Sequence, residues 1–337
     1  MSKLLQKSGK NLFNTIYVEE QAYDYTITRM VLEKYPDIPV ITIRNYKDIF
    51  NRGNQHFELQ KNRQSLILAV KGSPFLYNGP HVCQDFGYSD FYYTSFLLNC
   101  IFDCEYCYLQ GMYPSANIVA FVNINDFKNE IKNILDGKRA YLAVSYDTDL
   151  IGFHNVIPYW DFFHDFFAEH PNINAEIRTK SANEMFYSEF SPAENIVIAF
   201  SMAPQEIIQK YERLTPPLTA RIKAVKTAIS KGFKVRLCLD PVILNSGSEK
   251  LYPPFFRNLF TEINPDELKD VGYGFFRMSK DFFKRIENQK RSSELFAEEY
   301  SVNHDIVSYP HELSKTVMTR HLSVLEEYLP KEKIFTL

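Results

Sequence analysis

Residues 100–107 read CIFDCEYC and place three cysteines in eight positions, with the spacing C-x3-C-x2-C, directly after the apolar run FYYTSFLLN. Three thiolates this close together can bind three corners of a cubic iron–sulfur cluster, whereas such clusters normally have four cysteine ligands. The fourth iron is then free to bind another molecule. The stretch therefore predicts a cluster with an open coordination site, held by Cys100, Cys104 and Cys107.

Two other uses of closely spaced cysteines fit the sequence less well. Structural zinc usually has ligands in two pairs, and there is no second C-x2-C pair here, although Cys83 could act as an outlying fourth ligand. A disulfide framework is not expected, because the chain has 5 cysteines in 337 residues and its N-terminus, MSKLLQKSGKNLF, lacks a secretion signal. We therefore expect a reduced, cytoplasmic location, which a labile cluster requires.

Composition and charge narrow the class of protein further. Hydrophobic residues make up 45% of the chain and charged residues 23%, which is typical of a globular protein. Since no apolar run reaches the length that spans a bilayer, a membrane partner is not expected. The formal net charge of −3 gives no support to nucleic-acid binding through an overall basic surface, so any such binding needs a local basic patch.

From about residue 90 the pattern alternates between strands and helices. Strands are predicted at FYYTSFLLN, AYLAVSY, NAEIRTK, NIVIAFSM, KVRLCLDPVI and VGYGFFRM, with helical segments between them. Such alternation predicts an α/β fold with a parallel sheet, and six units are too few for a closed eight-stranded barrel. A partial (β/α)6 barrel of the TIM type is therefore expected, with ligands at the carboxyl ends of the strands.

The flanking segments suggest three regions. Residues 1–85 are expected to form a small mixed α/β lead-in, residues 86–284 the partial barrel, and residues 285–337 a C-terminal helical extension. Residues 285–320 are polar and are expected to be irregular, and TRHLSVLEEYL is the predicted final helix.

Several strings outside the cysteine run carry a family resemblance. CEYCYLQ, SYDTDLIGFHN, RTK, FSMAP and ERLTPPLTARIKAV together resemble the spore photoproduct lyase family of radical S-adenosylmethionine (SAM) enzymes. The partial barrel is the usual frame of these enzymes. The resemblance covers about residues 90–245, with a weaker match in IPVITI and SLILAVK.

The resemblance implies a particular chemistry. A 4Fe–4S cluster binds SAM at its open iron, and one electron from an external flavodoxin-type or ferredoxin-type reductant cleaves SAM to a 5′-deoxyadenosyl radical. In this family the radical repairs a methylene-bridged thymine dimer, so damaged DNA is the implied partner and lyase activity the implied reaction.

Three residues at strand ends are candidate SAM ligands by resemblance. Lys180 ends the third barrel strand, where its family equivalent meets the SAM carboxylate, and the alternative is a solvated lysine. Ser201 ends the fourth strand and matches a family serine that contacts SAM, and the alternative is a cap of the next helical turn. Thr148 lies where the family has a serine near SAM, and the alternative is a turn-forming residue.

Two tyrosines flank the third cysteine. Tyr108 stands in the CYLQ string, where family tyrosines are thought to relay a hydrogen atom back to SAM; a phenol O–H bond is comparable in strength to a thiol S–H bond. Tyr106 is a candidate for the same role. For both, the alternative is aromatic packing over the cluster, which excludes solvent.

The sequence departs from the family pattern at the hydrogen donor. The family has a donor cysteine at the end of the second strand, where this chain has Tyr146, or Ser145 if the alignment shifts by one position. Cys238 is a second candidate, because Arg236, Cys238 and Asp240 alternate on one face of a strand and two charged groups there predict a polar interior. A buried, space-filling thiol is the alternative for Cys238.

The substrate is therefore open at this point. The family's lesion-opening hairpin is not expected either, because NHDIVSYPHELSKTV (residues 303–317) has few basic residues and no glycine turn. A family member that acts on RNA or a small molecule is one alternative. An iron–sulfur electron-transfer protein is another, although such a carrier needs no SAM pocket.

Overall fold

The structure is a computed structural model that describes residues 12–244, 247–290 and 293–337. Residues 1–11, on which most of the signal-peptide argument rests, lie outside the described residues. Among the described residues, no helix has the length and apolar character needed to cross a membrane.

The strands are short and are distributed along the whole described chain. In chain order they are β1 (Ile16–Glu19), β2 (Val40–Ile43), β3 (Leu66–Ala69), β4 (Leu76–Asn78), β5 (Asp90–Thr94), β6 (Leu97–Leu98), β7 (Asp103–Cys104), β8 (Ile118–Phe121), β9 (Ala140–Ala143), β10 (Ile173–Thr179), β11 (Ile196–Ser201), β12 (Glu212–Arg213), β13 (Lys234–Val242), β14 (Leu268–Phe275), β15 (Arg277–Ser279), β16 (Ser301–Asn303), β17 (Ile306–Ser308) and β18 (Ile334–Thr336).

Helices alternate with the strands over the central part of the chain. In chain order they are α1 (Thr26–Lys34), α2 (Lys47–Phe50), α3 (Phe57–Lys61), α4 (Leu109–Met112), α5 (Ile124–Leu135), α6 (Leu150–Phe153), α7 (Tyr159–Ala168), α8 (Phe186–Glu189), α9 (Gln205–Tyr211), α10 (Leu218–Ser230), α11 (Tyr252–Glu262), α12 (Lys280–Gln289) and α13 (His311–Leu325).

The larger sheet is the predicted partial barrel. Strands β5, β9, β10, β11, β13 and β14 lie side by side and parallel in chain order, with β18 added parallel to β14 and β4 antiparallel to β5. Its central strands are buried on both faces, as expected for a sheet covered by helices. The sheet curls into a half barrel, which confirms the (β/α)6 prediction.

A second sheet takes strands from both sides of residue 85. Its order is β2-β1-β3-β8-β6, so it combines three strands of the lead-in with two short strands from the cysteine region. The predicted strand FYYTSFLLN is in fact divided, since β5 belongs to the large sheet and β6 pairs antiparallel with β8 of the smaller one. This crossover carries the chain directly into the cysteine run. The division into three regions stays a prediction.

The C-terminal region is more regular than predicted. The expectation that residues 303–317 contain no hairpin is wrong, because β16 and β17 pair antiparallel around His304 and Asp305. Both turn residues have positive φ, 45° and 63°, as a two-residue type I′ turn requires. Aspartate and histidine tolerate this conformation more often than most residues, so no glycine is needed. Residues 334–336, expected to belong to a helical extension, form a strand of the barrel sheet.

Candidate active site

The cysteine run forms a loop that strand pairing, a backbone hydrogen bond and a side-chain hydrogen bond hold in place. Strand β7 pairs antiparallel with β12, which sets Cys104 opposite Glu212. The amide of Glu105 donates to the carbonyl of Tyr211 over 2.7 Å, and Gln110 Nε2 donates to the Cys104 carbonyl over 2.6 Å. These bonds fix the loop at the carboxyl ends of the barrel strands, where all three cysteines line one cavity of about 610 Å³.

The three thiols fit a cubane cluster better than a zinc ion. A single zinc requires its ligands to converge on one point, and no three His, Cys, Asp or Glu side chains in the described residues are so grouped. In a cubane each thiolate binds a different iron, so no such convergence is needed. Burial raises the pKa of the Cys100 thiol to about 12 and that of Cys104 well above its usual value. A metal is therefore needed to stabilise their thiolate forms.

A lysine that the sequence analysis missed lies beneath this loop. Lys61, at the end of α3, is 9% exposed and donates a hydrogen bond to the Cys100 carbonyl. Burial lowers its pKa, and the neighbouring Cys100 thiolate and Asp103 carboxylate oppose that effect. A cation here offsets the negative charge of a thiolate-bound cluster. No sequence signal marked Lys61, since it stands in a polar helix far from the motif.

The candidate SAM ligands line the same cavity beside the cysteines. Lys180 directly follows β10 and Ser201 ends β11, as predicted, whereas Thr148 lies in the turn after β9, which ends at Ala143. Thr148 Oγ1 is buried and has no hydrogen-bond partner, which is the state expected of a group that contacts a ligand. Burial alone lowers the pKa of Lys180, but the Cys104 thiolate and the Glu212 carboxylate outweigh it and raise the pKa. The side chain is therefore a cation that can meet a carboxylate.

Asp149 holds the strand ends that present these ligands. Its buried carboxylate accepts hydrogen bonds from the Lys180 amide (2.7 Å), the Gly152 amide (2.7 Å) and Thr179 Oγ1 (2.8 Å). The bonds tie the turn after β9 to the end of β10. Asp149 is consequently committed to positioning and has little capacity left for a ligand.

Tyr106 lines the cavity but directs its hydroxyl to a buried carboxylate. Its hydroxyl donates to Glu212, which also pairs with the fully buried Arg221. Arg221 donates further to the Ser201 carbonyl over 3.0 Å. The ERLTPPLTARI string therefore encodes a buried charge network behind the cluster loop, a role that its resemblance alone did not reveal.

Part of the cavity wall is rich in phenols. The Tyr108 hydroxyl donates to the Tyr146 carbonyl over 2.7 Å, and the two ring centroids are 5.7 Å apart. Tyr146 also packs on Tyr93 with centroids 4.1 Å apart. Its hydroxyl lies 3.7 Å from Cys83 Sγ. Cys83 therefore contacts Tyr146, which the resemblance predicts as a hydrogen donor.

Cys238 lies deeper in the barrel. It is 1% exposed and is not among the residues that line the cavity. The polar interior predicted around it exists, because Arg236 Nη1 pairs with Glu176 over 2.6 Å and its Nη2 with Asp270 over 2.8 Å. Asp240, on the same strand face, pairs with Arg277 at the rim, where both residues line the cavity.

A partial barrel with a three-cysteine loop and a strand-end lysine in one cavity is the arrangement of the radical SAM enzymes. The family model for spore photoproduct lyase matches residues 12–309, most of the chain. The chain therefore belongs to the spore photoproduct lyase family, a family of lyases that use a 4Fe–4S cluster and SAM.

Individual relatives are distant but cover most of the chain. The spore photoproduct lyase of Bacillus subtilis (strain 168) is 20% identical over 265 residues, which is 77% of this chain and 76% of the relative. A solved spore photoproduct lyase complexed with dinucleoside spore photoproduct aligns with a TM-score of 0.83 at 16% identity, covering 96% of this chain and 98% of that one. A mutant with bound AdoMet and dinucleoside spore photoproduct aligns with a TM-score of 0.79 at 17% identity and the same coverage. At these identities the structures show a shared fold.

Proposed function

We propose that this protein uses a SAM-derived 5′-deoxyadenosyl radical to split a methylene-bridged thymine dimer in DNA. The observation that carries the proposal is one cavity of about 610 Å³, whose wall carries both the three cluster thiols and a phenol–thiol cluster of Tyr93, Tyr108, Tyr146 and Cys83. This volume is in the usual range for sites that enclose small molecules. An electron carrier has no need of such a cavity, so it is the weaker alternative.

The cavity residues divide into three roles. Cys100, Cys104 and Cys107 hold the cluster, which when bound supplies the electron that cleaves SAM. Lys180 would neutralise the SAM carboxylate, while Thr148 Oγ1 and Ser201, which line the same cavity, would provide neighbouring polar contacts. An external flavodoxin-type or ferredoxin-type protein supplies the electron.

One guanidinium group on the cavity wall suits a nucleotide substrate. Arg178 pairs through Nε with Glu176 over 3.0 Å, and about a third of its side chain is exposed at the cavity. Arg277 is already engaged, because Nη1 and Nη2 both donate to the Asp240 carboxylate over 3.0 Å and Nε donates to the Val82 carbonyl over 2.7 Å. Arginine binds phosphate in a planar, bidentate way. A local site of this kind is compatible with the net charge of −3, because it needs no basic surface elsewhere.

A different substrate, such as RNA or a small molecule, is the second candidate. The feature that supports it is the absence of cysteine at the donor position that the resemblance predicts, which is Tyr146, or Ser145 if the alignment shifts by one position. An enzyme that has changed its donor can also have changed the radical that it quenches.

Anaerobic turnover separates these candidates. Reconstituted, reduced protein is incubated with SAM, with and without the dinucleoside spore photoproduct, and 5′-deoxyadenosine and repaired dinucleotide are measured. We expect repaired dinucleotide only in the complete mixture, and none from a Cys104→Ala variant. SAM cleavage by the parent without any repair would reject the lesion as substrate and favour the second candidate.

A further inference from the structure

Cys83 lies in the segment between β4 and β5, outside every sequence motif that carries the family resemblance. Its amide donates to the Pro80 carbonyl over 3.0 Å, which closes a turn. The turn directs the thiol into the cavity, where Sγ lies 3.7 Å from Tyr146 Oη. The two residues are 63 positions apart in sequence and belong to different elements.

We infer that Cys83 is the hydrogen-atom donor of the reaction and that Tyr146 restores it. The inference rests on the proposed function. Splitting the methylene bridge leaves a carbon radical on one thymine. That carbon takes the hydrogen atom of Cys83, so that a C–H bond forms, the S–H bond breaks and a thiyl radical remains. The thiyl radical then takes the hydrogen atom of the Tyr146 hydroxyl, which re-forms S–H and leaves a phenoxyl radical on Tyr146. One electron from the external flavodoxin-type or ferredoxin-type reductant and one proton from solvent then restore the Tyr146 O–H bond and close the cycle.

A hydrogen-atom donor must be a free thiol on the cavity wall, and the other thiols of the chain do not meet both requirements. Three of the 5 cysteines, all of which the structure describes, are in the cluster motif and are consumed as ligands. Cys238 is 1% exposed and does not line the cavity. Cys83 alone combines a free thiol with a place on the cavity wall. Burial raises its pKa, so the sulfur keeps its hydrogen at neutral pH.

The position of Tyr146 supports its role as the relay. Phenol O–H and thiol S–H bonds are of comparable strength, so transfer between them needs little driving force. The rings of Tyr93 and Tyr108 flank Tyr146 at 4.1 and 5.7 Å. Tyr108 directly follows the cluster ligand Cys107, so a row of phenols leads from Cys83 back toward the cluster cysteines.

The first test follows the donated hydrogen in D2O, where a thiol exchanges its hydrogen for deuterium. The reconstituted parent should form repaired dinucleotide with one deuterium in the restored methyl group. Cys83→Ser keeps the size and a hydroxyl beside Tyr146 but lacks a weak S–H bond, so most of its product should be adducts with the reductant. Tyr146→Phe should repair one lesion per chain and then stop, because the thiyl radical is not reduced. Cys238→Ala tests the competing thiol and should give the parent's deuterated product.

A second measurement does not depend on turnover. In the reconstituted protein without SAM, iodoacetamide should modify Cys83, and the dinucleoside lesion should slow that modification, while Cys238 stays unmodified. Modification of Cys83 at the same rate with and without the lesion would overturn the inference. So would clean deuterated product from Cys83→Ser, although the proposed function would then survive. Failure of the parent to repair the lesion would overturn the proposed function and the donor role together.

Discussion

At the scale of single residues, the site contains three cysteines that are cluster ligands and a fourth cysteine in a different environment. Cys100, Cys104 and Cys107 belong to one loop, while Cys83 contacts Tyr146. Because a cubane with an open iron needs three thiolates, the fourth cysteine is not required for assembly.

We therefore expect Cys100→Ala, Cys104→Ala or Cys107→Ala to abolish cluster assembly, and Cys83→Ala to leave it intact. Iron and sulfide content and the absorption spectrum after anaerobic reconstitution measure this directly. Loss of the cluster in Cys83→Ala alone would contradict the three-ligand arrangement.

Lys180 has a second measurable role at this scale. Removing its ammonium in Lys180→Ala takes away a charge-assisted contact to the SAM carboxylate, worth roughly 1.5–3 kcal/mol. SAM affinity should fall by about ten- to a hundredfold. Titration of the reconstituted protein with SAM checks this, and the cluster spectrum without SAM should match the parent's. Equal SAM affinity in variant and parent would mean that Lys180 does not contribute to SAM binding.

At the scale of elements, the hairpin β16–β17 shows how a short turn shapes the cavity. Ile306, the first residue of β17, lines the cavity, and β17 pairs in turn with β15. The conformation of the two-residue turn therefore positions part of the cavity wall.

We predict that Asp305→Val destabilises this hairpin by about 1–2 kcal/mol, because a left-handed conformation is costly for a residue with Cβ and worse for a β-branched one. Faster amide hydrogen exchange of residues 301–308 would report the loss. The matched control is Asp305→Gly, which adopts positive φ without strain and should exchange no faster than the parent. Equal exchange in both variants would mean that the turn does not need φ near 63° at this position.

At the scale of the whole molecule, the barrel encloses a charged interior instead of a purely apolar one. Arg236 is 1% exposed and neutralises two buried carboxylates, Glu176 from β10 and Asp270 from β14. Burial alone would raise the pKa of Glu176, but the Arg178 and Arg236 guanidiniums outweigh it and lower the pKa. The network thus joins three strands of the barrel through charge.

Arg236→Met should lower the free energy of unfolding by about 3–5 kcal/mol at neutral pH, because it leaves the buried Asp270 carboxylate without its cation and leaves Glu176 with Arg178 alone. In the parent, the lowered pKa of Glu176 stabilises the folded state at pH values above the pKa that Glu176 has in the unfolded chain. This stabilisation is lost as the pH falls through the pKa of the folded state. In the variant the carboxylates gain stability on protonation. The difference in the free energy of unfolding between parent and variant should therefore become smaller toward acid pH. Denaturant unfolding of both proteins at pH 8 and at pH 5 measures this difference. A difference that is constant or grows toward pH 5 would contradict the argument.

The sequence determined the features of this protein that depend on residues close together in the chain. The C-x3-C-x2-C spacing brings three thiols to one loop whatever surrounds it, and the strand–helix alternation predicts the barrel because each element buries its own apolar face. Lys180 and Ser201 lie at the strand ends, and Thr148 in the turn after β9, for the same local reason.

Tertiary structure decided the features that depend on residues far apart in the chain. Cys83 meets Tyr146 across 63 positions, and Lys61 reaches the Cys100 carbonyl across 39. The hairpin turn has no glycine, and its two positive-φ residues are held by the pairing of β17 with both neighbours. Sequence spacing carries no information about such contacts, because they exist only once the sheets have packed and the chain has crossed between them. The cluster ligands were therefore readable from the chain itself, whereas the position of the thiol that we propose as donor depended on the folded barrel.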